Sequence, residues 1–251
     1  MMQYLVQNKD PAWKLTHITK NLLLVFACLL VWFMPALHAF WQKLDMACYA
    51  LLNQSLLHSH TWQLLWGYLN HPNETWLNLV VMGGINILAI ATISKDKRPR
   101  AIALVIYFWF FFQLVLLFTQ KAFIGGLHLQ RHSPSIVHQP WVILSETLGI
   151  GNIKVYSHCC FPAGHALVLF FWAKFTMLYC NDQIKKLVIF TAVLLTIPRL
   201  FSGAHWVSDI LFTIVYSWFW FTVAIGTPLY SYITKTIETK IKTQNLIQGR
   251  I

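Results

Sequence analysis

Apolar residues fall in long runs along this chain, and short polar segments separate them. A soluble amphipathic helix would instead show an apolar stripe with a 3.6-residue period. About 20 apolar residues carry a helix across roughly 30 Å of hydrocarbon. On that criterion six spans are predicted: 22–40, 77–93, 101–119, 165–180, 187–197 and 210–230. The span 101–119 has no charge, and the span 165–180 contains Lys174 near one end, where a long side chain can snorkel to the interface. The run 187–197 is short and reaches spanning length if the helix continues through 198–201. Each is predicted helical, because lipid offers no partner to an open backbone. The expected fold is all-α, a polytopic six-helix membrane bundle over 22–230, with an N-terminal segment 1–21 and a basic tail 231–251.

Composition strengthens this picture. Apolar residues make up 57% of the 251 and charged residues 11%, less than half the charged share of an average soluble protein. The net charge of +11 could suggest nucleic acid. The basic residues, however, sit in clusters between apolar runs, which argues for a membrane and against a nucleic-acid partner. Thirteen Lys and Arg fall on one set of connections (among them Lys95, Lys97, Arg98, Arg100, Lys185 and Lys186) and five on the other: Lys43, Lys121, Arg131, Lys154 and Arg199. The positive-inside rule then places both termini in the cytoplasm. The first span has a basic flank like a signal peptide, but Ala36 and Ala39 lack Ala-x-Ala spacing and further spans follow. It reads as an uncleaved anchor.

Residues 41–76 are rich in Trp and Leu, as suits an amphipathic helix lying at the interface. The tail from Thr234 is polar and basic; it is expected to rest on the anionic inner leaflet or to be partly disordered. The five cysteines lack metal-site spacing, and Cys159 adjoins Cys160. Cys48, Cys159 and Cys160 fall on the oxidising side, where a disulfide is chemically permitted.

Most external polar residues lie in 121–165 and 199–209, at the ends of the last four spans. There Lys, Arg and His would meet beside a lipid headgroup, a composition suited to phosphate. The sharpest pattern is Arg199, five residues, His205, three residues, Asp209. If 205–209 opens a helix, His205 and Asp209 share a face. The carboxylate can then fix one ring tautomer and leave the other nitrogen as a nucleophile. Arg199 would reach phosphoryl oxygens. Taken alone, the pattern also reads as an interfacial His–Asp pair beside a snorkelling Arg.

A second pattern is Pro162-Ala163-Gly164-His165 at the start of the 165–180 helix. Free N–H groups and the helix dipole favour an anion there, Gly164 permits close approach, and His165 can act as general acid. In isolation it is also a plain helix start with a His at headgroup depth. A third, Arg131-His132-Ser133-Pro134-Ser135 with Lys121 upstream, offers cations and hydroxyls, with Lys154 a further candidate. His128, His132, His138 and His158 read as loop residues.

Together these motifs resemble the type 2 phosphatidic acid phosphatase superfamily. Its third motif, Ser-Arg, five residues, His, three residues, Asp, stands here as Pro198-Arg199…His205…Asp209, lacking the leading Ser. Its second, Pro-Ser-Gly-His, stands as Pro162-Ala163-Gly164-His165. Its first, Lys, six residues, Arg-Pro, is matched loosely: Lys121 has His128 seven places on and the arginine at Arg131. The resemblance implies His205 as nucleophile, Asp209 as its orienting acid and His165 as general acid. It implies phosphate contacts from Arg199, Arg131, Gly164 and Lys121. Ala163 removes one hydroxyl contact, about 1 kcal/mol, and leaves the backbone donors.

Within that superfamily the chain resembles the lipid A phosphotransferase branch in particular. It shares Arg-x-Ser-Pro-Ser/Thr (131–135), Ser145-Glu146, a Lys before Phe-Pro, the run Pro198 to Asp209, and an opening stretch through Asn53. It usually has Gly-Asp before the second-motif His, where this chain has Ala163-Gly164. The resemblance implies a multi-pass protein of a bacterial inner membrane with a periplasmic site. The expected substrate is a lipid phosphate or diphosphate, with no obligate protein partner. No cofactor or metal is expected, since side chains supply the cations and few acids (Asp45, Glu74, Glu146, Asp209) lie on that face. Three readings stay open: phosphotransfer from undecaprenyl diphosphate to lipid A 1-phosphate, hydrolysis of a lipid phosphate, and non-catalytic binding or transport.

Overall fold

A computed structural model describes residues 11–71, 74–126 and 131–247. His128, weighed above as a first-motif residue, lies outside the described residues. Among those described, the regular structure is entirely helical: α1 (Pro11–Phe33), α2 (Pro35–Ser55), α3 (His60–Leu69), α4 (Glu74–Thr92), α5 (Arg98–Thr119), α6 (Gly164–Thr176), α7 (Asp182–Thr196), α8 (Val207–Gly226) and α9 (Pro228–Ile247). Single turns at Pro134–Val137, Leu144–Thr147 and Pro198–Phe201 punctuate the connections.

Among the described residues, two helical stretches are long and apolar enough to cross a membrane, Lys95–Ala122 and Val207–Gly226. A third exists if α1 and α2, bent by 85°, count as one span. The expected span 22–40 is therefore interrupted. Met34 is extended (φ −80°, ψ 117°) before Pro35, the conformation that a following proline ring imposes on its neighbour. α4 is a shorter apolar helix. α6 has 13 residues, about 20 Å at 1.5 Å per residue, so the expected span 165–180 falls short of a 30 Å core. α7 has 15 residues, and Ile197 in the αR region leads directly into the turn Pro198–Phe201, the continuation that the expected span 187–197 needs. The tail also differs from expectation. Residues 228–247 form a helix that packs along α5, with Tyr230 edge-on to Tyr107 at 5.5 Å and Arg100 4.0 Å from Glu238.

Phe108, Phe112, Phe171, Phe175 and Phe221 fill the core between α5, α6 and α8. Lipid tails are as apolar as these rings, so packing and hydrogen bonds hold such helices together. The Asn86 amide oxygen accepts from Trp172 Nε1 (3.0 Å), Thr176 Oγ1 (3.1 Å) and Tyr179 OH (2.9 Å), and so joins α4 to α6 and the turn after it. α1 packs on α8, and α8 on α6. The first turns of α6 and α8 are thereby brought side by side.

The 41–76 region folds as the end of α2, a 3₁₀ turn and α3. Asp45, Tyr49 and Asn53, each four residues apart, are its buried positions on α2. They form a polar stripe on one helical face, and this face is the back wall of the site.

Candidate active site

The His205 segment is shaped by its local turn. Ser202 caps the turn Pro198–Phe201, and Gly203 follows with φ +76°. Gly203 N–H donates to Leu200 O (3.2 Å) and Ala204 N–H to Arg199 O (3.0 Å), the pair of bonds that defines a Schellman motif. His205 N–H also reaches Arg199 O at 3.2 Å. The five-residue spacing between Arg199 and His205 is thus one closed turn that folds the histidine back over the arginine.

His205 is buried, and its Nδ1 lies 2.8 Å from the main-chain oxygen of Cys160. A carbonyl can only accept, so Nδ1 carries the proton and Nε2 keeps its lone pair. The nearer Asp209 oxygen is 3.7 Å from Nδ1, beyond hydrogen-bond range. α8 begins at Val207, two residues after His205, with Trp206 as its cap. Asp209 Oδ2 accepts from the Trp206 N–H at 2.9 Å, and Asp209 Oδ1 accepts from Arg131 Nη1. The expected His205–Asp209 orienting bond is therefore replaced by a backbone carbonyl, while the carboxylate acts over a longer distance.

His165 stands in the first turn of α6, its ring centroid 4.7 Å from that of His205. The Thr196 carbonyl bonds its ring, and Arg199 acts on it electrostatically. The residue as a whole is partly exposed, yet its Nε2 atom is shielded and has no hydrogen-bond partner among the described residues. The first-turn N–H groups of α6 lack intrahelical acceptors. A Cβ built on Gly164 would meet nothing within 4 Å, so the protein leaves open room at this helix end. Ala163 is fully buried and its N–H is committed to Thr213 Oγ1 at 3.0 Å.

Arg131 is drawn into the same cluster. Its Nη2 lies 2.6 Å from Asp45 Oδ2, its Nη1 meets Asp209 and Ser208 Oγ (2.9 Å), and its guanidinium carbon is 4.9 Å from the centre of the Trp206 ring. Asp45 also accepts from the Ser208 N–H (2.9 Å) and Ser208 Oγ (2.6 Å). Asp45, expected only as one of the few external acids, has a role that the sequence motifs do not assign. The signal was there in the 45/49/53 spacing of polar residues on an otherwise apolar helix.

Other predicted contacts lie apart from these bonds. Ser133 is fully buried, exchanging bonds with Ser157 through its N–H (2.9 Å) and its Oγ (3.0 Å). Lys154 has an exposed side chain and a backbone joined to Asn70 (2.7 Å). Lys121 is exposed on the π-helical turn Gln120–Gly126 that continues α5. Asn53, with no predicted role, bonds Val142 O, Phe201 O, Trp141 N–H and Val142 N–H at 2.9–3.1 Å, tying α2 to the turn that carries Arg199.

All five cysteines are free. Donor atoms of Cys160, His205 and Asp209 lie within 4.8 Å of one another, a grouping that could hold a metal ion and that sequence spacing did not reveal. Both Asp209 oxygens are engaged as described, and a guanidinium already stands against that carboxylate. Burial, reinforced by the Asp209 charge, pushes the Cys160 thiol well above its usual range and keeps it protonated. The donor set is thus that of a hydrogen-bonded cluster rather than of a prepared metal centre.

Two histidines with facing rings, one with a lone pair and one beside a helix N-terminus and an arginine, suit transfer of a phosphoryl group. The sequence pattern of the PAP2 superfamily matches residues 114–233, which include Arg131, His165, Arg199, His205 and Asp209. Residues 114–233 belong to the PAP2 superfamily. This is the type 2 phosphatidic acid phosphatase superfamily anticipated from the motifs, and the chain is a membrane lipid phosphatase or phosphotransferase of that kind. It is similar to lipid A 1-diphosphate synthase of Escherichia coli (strain K12), with 26% identity over 189 residues, 74% of this chain and 76% of that protein. No solved structure matches significantly.

Proposed function

We propose that this PAP2 enzyme transfers a phosphoryl group from a lipid diphosphate through a phosphohistidine on His205. The observation that carries this reading is the 2.8 Å bond from His205 Nδ1 to Cys160 O, with the His165 ring 4.7 Å away. His205 Nε2 attacks the phosphorus. The bond from phosphorus to the leaving oxygen breaks, and His165, having taken up a proton as the anionic phosphate binds beside it, donates that proton from Nε2 to the leaving oxygen. Arg199 and the N–H groups around Gly164 hold the phosphoryl oxygens, with Lys121 a further cation in the same role and Arg131 steering from behind. An acceptor phosphate or water then attacks the phosphohistidine and frees His205.

The donor we favour is undecaprenyl diphosphate, and the acceptor is lipid A 1-phosphate. Similarity to lipid A 1-diphosphate synthase over most of both chains supports this. The second reading is hydrolysis, favoured by Pro162-Ala163-Gly164-His165, which stands nearer the general phosphatases at that motif. The Lys/Arg asymmetry supports cytoplasmic termini and a periplasmic site in a bacterial inner membrane.

Purified protein given labelled undecaprenyl diphosphate, with and without lipid A, tests both. Label on lipid A means transfer and free phosphate means hydrolysis. Neither product would point to a binder or transporter. His205→Ala should insert normally and lose phosphoryl transfer; near-normal turnover by that variant would overturn the mechanism.

A further inference from the structure

α2 reaches the site through one charged side chain. Asp45 is 1% exposed, on a helix whose sequence is otherwise mostly apolar. A buried carboxylate is costly unless its lone pairs are met. Here three donors from two other segments meet it: Arg131 Nη2 at 2.6 Å, Ser208 N–H at 2.9 Å and Ser208 Oγ at 2.6 Å. We propose that Asp45 is a positioning residue for phosphoryl transfer, holding Arg131 and the first turn of α8 in the register that aims His205. This rests on His205 being the nucleophile.

The geometry gives the reason. An Arg fork can take a carboxylate with two parallel bonds. Asp45 occupies Nη2, so Arg131 turns Nη1 to Asp209 Oδ1 and leaves Asp209 Oδ2 for the Trp206 N–H. Trp206 follows His205 directly. Without the Asp45 charge, the fork is released to grip Asp209 with both nitrogens. That would draw Oδ2 off the Trp206 N–H and from its place 3.7 Å from His205 Nδ1. Ser208, held at both its N–H and its hydroxyl by the same acid, would lose its anchor to α2 in the same step.

Stability alone is a weak reason for such an arrangement, because a buried ion pair is often replaced by packed apolar groups at no loss. Two acids for one guanidinium also mean that Arg131 keeps a partner when Asp45 is neutralised, so Asp45→Asn should fold. Tyr49 and Asn53 continue the same face, against Gly203 and against Phe201 O. The helix therefore braces both ends of the segment 199–209.

The test is steady-state kinetics of Asp45→Asn per folded molecule, on whichever of undecaprenyl diphosphate or phosphatidic acid the unaltered protein turns over. A displacement near 1 Å can cost about 100-fold in rate. We expect kcat to fall about tenfold or more while KM stays within about threefold. A kcat equal to that of the unaltered protein, or a loss confined to KM, overturns the proposal. If Asp45→Asn does not accumulate, Arg131→Lys, which keeps the charge and loses the fork, is read by the same criteria. His205→Ala is assayed alongside. If it keeps activity, the nucleophile reading fails; if it is inactive while Asp45→Asn is unimpaired, the positioning role alone fails.

Discussion

His205 Nδ1 is 2.8 Å from the main-chain oxygen of Cys160 and 3.7 Å from the closest oxygen of Asp209. The nucleophile's tautomer is therefore set by a loop carbonyl. That loop is itself fixed: Cys160 N–H donates to Arg131 O at 2.9 Å, and the Cys160 side chain is fully buried. Asp209 contributes field and helix capping.

This relationship predicts an intermediate phenotype for Asp209→Asn. Where an acid alone fixes the tautomer, changing it to the amide costs about 10⁴-fold in kcat. Here the Cys160 carbonyl remains, and Asn can still accept from the Trp206 N–H. We expect kcat to fall by about 10- to 1000-fold, with a phosphoenzyme still trapped by acid-free quenching. A loss near 10⁴-fold would restore Asp209 as the orienting group.

Gly164 supplies a second prediction, one that separates binding from stability. A Cβ at this position meets nothing within 4 Å, and the residue opens α6. Alanine should therefore leave the fold intact, or stabilise it by up to about 1 kcal/mol through lower backbone entropy in the unfolded chain. The added methyl would stand in the room where phosphoryl oxygens approach the helix end. Gly164→Ala should then raise KM or lower kcat/KM by about tenfold, on the order of 1.4 kcal/mol, with an unchanged or higher melting temperature in detergent. Unchanged kinetics would place the phosphate elsewhere.

Much of this is legible in the chain because its signals are local. Runs such as 101–119 and 210–230 announce helices through hydropathy; α5 covers the first, and α8 covers the second as far as Gly226, where extended Thr227 before Pro228 ends it. The break at Met34–Pro35 is invisible to hydropathy, which does not register the backbone constraint that Pro35 imposes. His165, Arg199, His205 and Asp209 stood out by spacing, and the fold brings them together. The groups that orient them did not stand out: Cys160 O and Thr196 O are main-chain atoms with no side-chain signature. Asp45 needed the position of α2 to find its partners at Arg131 and Ser208, residues 86 and 163 positions away. Arg131 drew attention for its charge, and only its place between two carboxylates separates a phosphate ligand from a strut.

Gly203 carries the last prediction. It has φ +76°, a region that side chains other than glycine enter at a cost of about 1 kcal/mol or more. The space is closed as well: a Cβ would lie 2.8 Å from Tyr49 Cε2 and 3.2 Å from Ser135 Cβ. Gly203 O accepts from Ser135 Oγ (2.8 Å) and from the Ser135 N–H (3.2 Å), so the turn cannot shift without breaking its bonds to the Arg131 loop. Strain and overpacking together predict that Gly203→Ala destabilises by about 2–4 kcal/mol. Because the same turn folds His205 over Arg199, the fraction that remains folded should also turn over more slowly, which thermal unfolding in detergent and active-site-normalised kcat would report together. A variant with unchanged melting temperature would mean that the turn tolerates a side chain, and that Tyr49 and Ser135 do not brace it.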